Sequence, residues 1–166
     1  MTALRRIPPL PAAVCAMAVS LCLAAPVAAA HPADPVPADY ARAVATAPLR
    51  LCGHDVVDSG LITAQLRGES GFDRLAASAA GAQGPAQLTP AAFAVYGADD
   101  DHNGVASPFD IGDAVSALVR ADCALATHLL DRGHAADRES ITAAYVGGLH
   151  SVDDPTVRAM AREVLR

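Results

Sequence analysis

Apolar residues in the second half of this chain recur at helical spacing. Leu61, Ile62 and Leu66 mark one face of a stretch that starts at Ser59, read as its cap, and ends near Glu69 to Gly71. Thr89 before Pro90 supplies an N-cap and a proline at the first helical position, opening a helix through Phe93 and Tyr96 that stops at Gly97. Asp110 heads the longest stretch, whose stripe runs Ile111, Val115, Leu118, Val119, Cys123, Leu129 and Leu130 and ends at Gly133. Asp137 opens a shorter helix through Ile141, Ala144 and Tyr145, stopped by Gly147 and Gly148. Asp154-Pro155 starts the last one, with Val157, Met160, Val164 and Leu165. β-Branched alternation is nearly absent, so the pattern predicts an all-α domain over 49–166. Within it, residues 73–88 are small and glycine-containing, and read as an ordered loop.

The first thirty residues belong to a different class. Arg5 and Arg6, an apolar run over Ala12 to Ala25 and small residues at Ala28 to Ala30 predict a signal peptide over 1–30. The run is bordered by prolines and shorter than the ~20 apolar residues of a membrane span. Residues 31–48 are rich in proline and alanine and read as a flexible leader that includes a short helix around Tyr40 to Ala47. What remains after residue 30 suffices for one compact domain and not two.

All twelve basic residues are arginines, two of them in the signal, whereas all eighteen acids follow residue 30. A surface this acidic argues against nucleic acid or an anionic membrane as partner. Export also frames the cysteines. Cys52 and Cys123 are the two left after cleavage, and in an oxidising compartment they read as one disulfide. Cys52-x-His54 and Cys123-x4-His128 offer zinc as the rival reading, at spacings that do not match the usual zinc pattern.

Leu66-Arg-Gly-Glu-Ser-Gly-Phe72 places a single acid, Glu69, at the C-terminal end of an apolar stretch. The helix dipole disfavours a negative charge there. Burial against Ile62, Leu66 and Phe72 would raise its pKa, as the lysozyme acid is raised to about 6. Such a carboxylic acid can protonate the bridging oxygen of a glycosidic bond. Taken alone, these residues fit a solvated helix-end glutamate equally well. Most glycosidases pair two carboxylates, and Asp73 is the close second candidate in sequence.

Three segments taken together resemble the soluble lytic transglycosylases, relatives of goose-type lysozyme that cut bacterial peptidoglycan. They are Glu69-Ser-Gly-Phe72, Gly81-Ala-Gln-Gly-Pro-Ala-Gln87 and Ala144-Tyr145-Val146, spread over roughly the C-terminal two thirds of the chain. The resemblance implies a lysozyme-like helical fold with a substrate groove. It implies Glu69 as the single acid and base, cutting the bond between N-acetylmuramic acid and N-acetylglucosamine to leave 1,6-anhydro ends. It also implies that Ser78, Gln83 and Gln87 bind the glycan strand, and that Tyr145 hydrogen-bonds the catalytic acid. Two positions depart from the family pattern: Pro85-Ala86 stand where Leu-Met is frequent, and Val146 replaces an asparagine. A hydrolytic muramidase and a non-catalytic peptidoglycan-binding module are the alternatives.

Asp99 to Asp110 matches an EF-hand-type calcium loop. Asp99, Asp101 and Asn103 fall at positions 1, 3 and 5, Gly104 at the turn, the Val105 carbonyl at 7 and Asp110 at 12. Aspartate in place of glutamate at the last position shortens the arm that would hold the ion. A solvated acidic turn that caps the next helix is the alternative, and the expected cation is a structural Ca2+.

Overall fold

In the computed structural model, residues 35–166 are described, so the expected signal peptide and the start of the leader lie outside them. Six α-helices follow one another: α1 Ala38–Thr46, α2 Ser59–Ser70, α3 Pro90–Tyr96, α4 Ile111–Asp131, α5 Arg138–Gly147 and α6 Pro155–Val164. The described residues form no strand, only two isolated bridges in the loop between α2 and α3. The all-α expectation holds.

Local chemistry accounts for most helix ends. Thr89, Asp110, Asp137 and Asp154 each accept from backbone amides of the first turn, as their positions ahead of apolar runs predict. The start of α2 differs. Asp58, not Ser59, is the cap, its Oδ1 accepting from Leu61 N at 2.8 Å. Its carboxylate also meets Arg138 of α5 at 2.6 Å, which Ser59 could not do.

The 21-residue α4 is the axis of the domain, and α1, α2, α3 and α5 all pack on it, with α6 held by α5 and α2. Leu61, Ile62, Leu66, Val115, Leu118, Leu129 and Ile141 are fully buried, each contributing about 1.5–3 kcal/mol of apolar burial. The buried face of α4 differs from the expected stripe. It runs through Asp122 and Ala126, while Leu130 is 51% exposed. On α6 it is Ala161 that is buried, and Met160 lies in solvent.

The leader is not loose throughout. Tyr40 and Val44, one turn apart on α1, are 2% and 4% exposed and join the same core as Leu61 and Leu118. The packed domain therefore takes in α1 and begins before residue 49.

Cys52 and Cys123 form a disulfide with 5.3 Å between their Cα atoms, fixing the segment before α2 to α4. Both thiols are consumed, which removes the zinc reading; His54 instead meets the Thr127 hydroxyl at 2.9 Å. Among the described residues, no helix is long and apolar enough to cross a membrane.

Candidate active site

Helix α2 carries Glu69 to its C-terminal turn and then stops abruptly. Gly71 and Phe72 both adopt left-handed backbone, φ 61° and 66°, a conformation that a bulky residue takes only when its surroundings hold it there. The Phe72 ring supplies that hold. It packs 5.1 Å from the Tyr40 ring of α1 and lies beneath the Arg67 guanidinium at 5.3 Å. The contact from α1 thus braces the turn that follows Glu69.

Glu69 itself is half-buried. Its inner oxygen, Oε1, is sealed from water and has no hydrogen-bond partner. Desolvation pushes its pKa from 4.5 up to about 7, because no donor or cation compensates the charged form. A large fraction of the carboxyl is therefore protonated near neutral pH, the state that an acid catalyst requires.

Behind Glu69 lies a polar layer that the sequence reading did not include. Gln65 is one turn earlier on α2 and Asp122 is on α4; both are 0% exposed. Gln65 Nε2 donates to Asp122 Oδ1 at 3.2 Å. Burial, with the Glu69 charge adding to it, pushes Asp122 up to about 8, against a smaller downward pull from Gln65. Asp122 is thus the second carboxyl near Glu69. Asp73, the candidate by sequence, is exposed and caps its own turn by accepting from Leu75 N at 2.9 Å.

The loop over 73–88 is ordered by its own hydrogen bonds. Gln83 and Leu88 exchange backbone bonds at 2.9 and 3.1 Å, and Gly84 N reaches Ala76 O at 2.8 Å. Ser78 is exposed, and its hydroxyl accepts from Ala82 N at 3.0 Å, so its observed contact shapes the loop. Gln87 sits at φ 49° and turns its amide onto Gly84 O at 2.8 Å. Gly84 has φ 71°, and a Cβ there would lie 1.7 Å from the Pro108 carbonyl oxygen. Only glycine permits that approach, which seats this loop on the end of the acidic loop.

Tyr145, on α5, joins the two halves of the site in a way the resemblance did not anticipate. Its hydroxyl donates to the Ala86 carbonyl at 2.5 Å and makes no hydrogen bond to Glu69. Burial and the charges of Glu69 and Asp122 push its pKa well above 10, so it remains a donor. Glu69, Tyr145 and the Ala86-Gln87 turn are therefore one neighbourhood, with Ser78 out on the exposed part of the loop.

The acidic loop forms between α3 and α4 and is tied on both sides. Arg120 of α4 grips Asp100 with two bonds of 3.0 and 2.6 Å and donates to the Tyr96 carbonyl at 2.6 Å. Asp99 accepts from the amides of Asn103 and Gly104, and Asp110 accepts from Gly112 N. Asp99, Asp101 and Asp113 bring carboxylate oxygens within 4.8 Å of one another, a cluster that could hold a metal ion. Asp113 was absent from the predicted ligand set. It is 0% exposed, and its oxygens accept from Asp100 N and Ser107 N. The Asn103 amide nitrogen donates to Asp101 at 3.1 Å and Asp110 at 3.2 Å, and a half-turn of that amide would present its oxygen there instead. Val105 contributes its amide to Asn103 Oδ1, with its side chain in solvent. An all-oxygen set of this kind suits a hard divalent cation.

A cavity of about 260 Å³ lies elsewhere, lined by Pro48, Leu51, Val119, Arg120 and the disulfide. It includes none of the predicted catalytic, glycan-binding or metal-binding residues and is not the groove expected around Glu69. Comparison with protein families, with curated proteins and with solved structures returns no match to this chain.

Proposed function

We propose that this chain is an exported peptidoglycan-cleaving enzyme of the lytic transglycosylase type, with a lysozyme-like fold and Glu69 as its acid and base. One observation carries the reading. Glu69 ends a buried helix with an inner oxygen that has no partner, and desolvation holds its proton to about pH 7. A structural carboxylate in that position would be expected to have a cation or amide donors.

Glu69 in its protonated form delivers the proton to the oxygen leaving N-acetylmuramic acid. The substrate's own acetamido oxygen attacks the sugar carbon, and the Glu69 carboxylate then takes the proton of the 6-hydroxyl as it closes the anhydro ring. This sequence of steps needs one carboxylate at the substrate. The fully buried Asp122 is consistent with that, since it cannot reach a sugar. Gln87 and Gln83 on the loop beside Ala86 are assigned to the glycan strand.

The cation assigned to the acidic loop is Ca2+, held by Asp99, Asp101, Asn103, the Val105 carbonyl and Asp110, with Asp113 added by its place in the cluster. Its role is structural: the loop that would hold it includes Pro108, against which Gly84 is seated.

Mass analysis of digested peptidoglycan tests the reading. Anhydro-ended fragments from the wild type and none from a folded Glu69→Gln variant are expected. Reducing ends would make the enzyme a hydrolytic muramidase. No cleavage by the wild type would leave the binding module.

A further inference from the structure

We infer that Tyr40 of α1 is a positioning residue for Glu69, acting through the Phe72 ring to hold the last turn of α2 in one conformation. The inference rests on Glu69 being the acid. It gives catalysis a residue that lies ahead of all three segments carrying the resemblance.

A helix end is a poor mount for a reacting group. The last four carbonyls of a helix have no partner within it, and terminal turns open more readily than the middle. Glu69 is next to last in α2. Closing this end takes two successive left-handed residues, and of these Gly71 adopts that backbone freely. Phe72 does not, and needs a hold from its surroundings. With that hold the chain doubles back, and Phe72 N reaches the Leu66 carbonyl at 3.4 Å. Ser70 Oγ donates to the same carbonyl at 3.1 Å. Leu66 is fully buried, so it is a fixed point on which the turn around Glu69 closes.

Tyr40 supplies the hold from outside α2. It is buried and meets Phe72 with centroids 5.1 Å apart and planes inclined at 58°, within the range of favourable aromatic pairs. Its hydroxyl is sealed from water without a partner, so the ring and not a hydrogen bond makes the contact. Val44, one turn further on, is buried in the same core and keeps α1 in place. The Arg67 guanidinium also covers Phe72. It belongs to the same turn, however, and moves with it.

The test pairs kinetics with a readout that needs no substrate. Tyr40→Leu keeps apolar bulk and loses the ring. With folding at the assay temperature checked by circular dichroism, kcat on soluble peptidoglycan fragments should fall about tenfold and KM stay within about twofold. A displaced acid costs rate, whereas the buried Tyr40 touches no ligand. In carbon-13 titration the Glu69 midpoint should fall by about one pH unit as water reaches a loosened turn, and the alkaline limb of kcat should move down with it. Asp122 of α4 and Tyr145 of α5, the titratable groups that bear on Glu69 from other helices, stay intact in this variant. Tyr40→Phe keeps the ring and should restore kcat and midpoint alike. A Tyr40→Leu protein that melts earlier but retains wild-type kcat and Glu69 midpoint overturns the inference, and so does a Tyr40→Phe that fails to rescue. Should Tyr40→Leu not fold, Phe72→Gly decides, since glycine takes the left-handed backbone without help from a ring. A kcat lowered about tenfold there supports the inference, and a wild-type kcat overturns it. A wild type that cleaves no peptidoglycan ends the enzymatic reading, and the Glu69 midpoints alone then decide whether Tyr40 holds the turn.

Discussion

Glu69→Gln should stabilise the domain at alkaline pH and do nothing of the kind in acid. The folded chain holds the Glu69 proton to about pH 7, whereas an ordinary glutamate releases it at 4.5. Between these values the folded state binds a proton that the unfolded state has lost, so stability falls as pH rises. Below the lower value both states are protonated and nothing is lost; above the upper value the full cost stands. At about 1.36 kcal/mol per pH unit, that cost is about 3 kcal/mol. Glutamine carries no charge at any pH and escapes it. Asp122 adds to the effect with the same sign, because the Glu69 charge is one cause of its own raised pKa. The chain has no tryptophan, so urea unfolding followed by far-ultraviolet circular dichroism is the suitable assay. The midpoint difference between variant and wild type should open by roughly 1.5 M urea from about pH 4 to about pH 8. Any constant offset from replacing the acid by an amide is the same throughout and drops out of that comparison. Parallel curves across this range would mean that Glu69 is not desolvated, and the case for an acid catalyst would lose its physical basis.

Other consequences can be measured independently. Reducing the Cys52–Cys123 bond, or replacing both by alanine, releases a loop closed across 71 residues and should cost about 4 kcal/mol in urea unfolding. If the acidic loop holds a cation, adding Ca2+ should raise the thermal midpoint and a chelator should lower it. Asp101→Asn should weaken that response, and a midpoint indifferent to both reagents rejects the cation. Tyr145→Phe leaves the Ala86 carbonyl without its donor. About 1–3 kcal/mol should be lost, with faster proteolysis within 73–88, whereas an unchanged cleavage pattern would show that the bond does not hold the loop.

The helices were legible because their signals are local. Thr89, Asp110, Asp137 and Asp154 each act within one turn of themselves, and an apolar stripe reports its own period whatever it packs against. Where two residues can serve the same local purpose, local sequence does not choose between them. Asp58 and Ser59 can both cap a helix, and the choice came from Arg138, 80 residues away, which pairs with the carboxylate. The proline-rich composition before residue 49 suggests a short helix but conceals that α1 packs into the core. Tyr40 and Val44 stand one turn apart, yet their burial depends on α2 and α4, which arrive much later in the chain.

Sequence alone determined the helical class, the cysteine pair, the acidic loop and the position of Glu69 at a helix end, since each is written in the order and spacing of neighbours. Tertiary structure decided which polar residues face one another. Asp122 stands on the face of α4 that also carries Leu118, Ala126 and Leu129, so helical spacing could have marked it as buried. Its meeting with Gln65 and Glu69 required α2 to cross α4 at that turn. The same packing withholds water from the inner oxygen of Glu69. Desolvation is a property of everything surrounding a group, and it exists only once segments distant in the chain have closed around it.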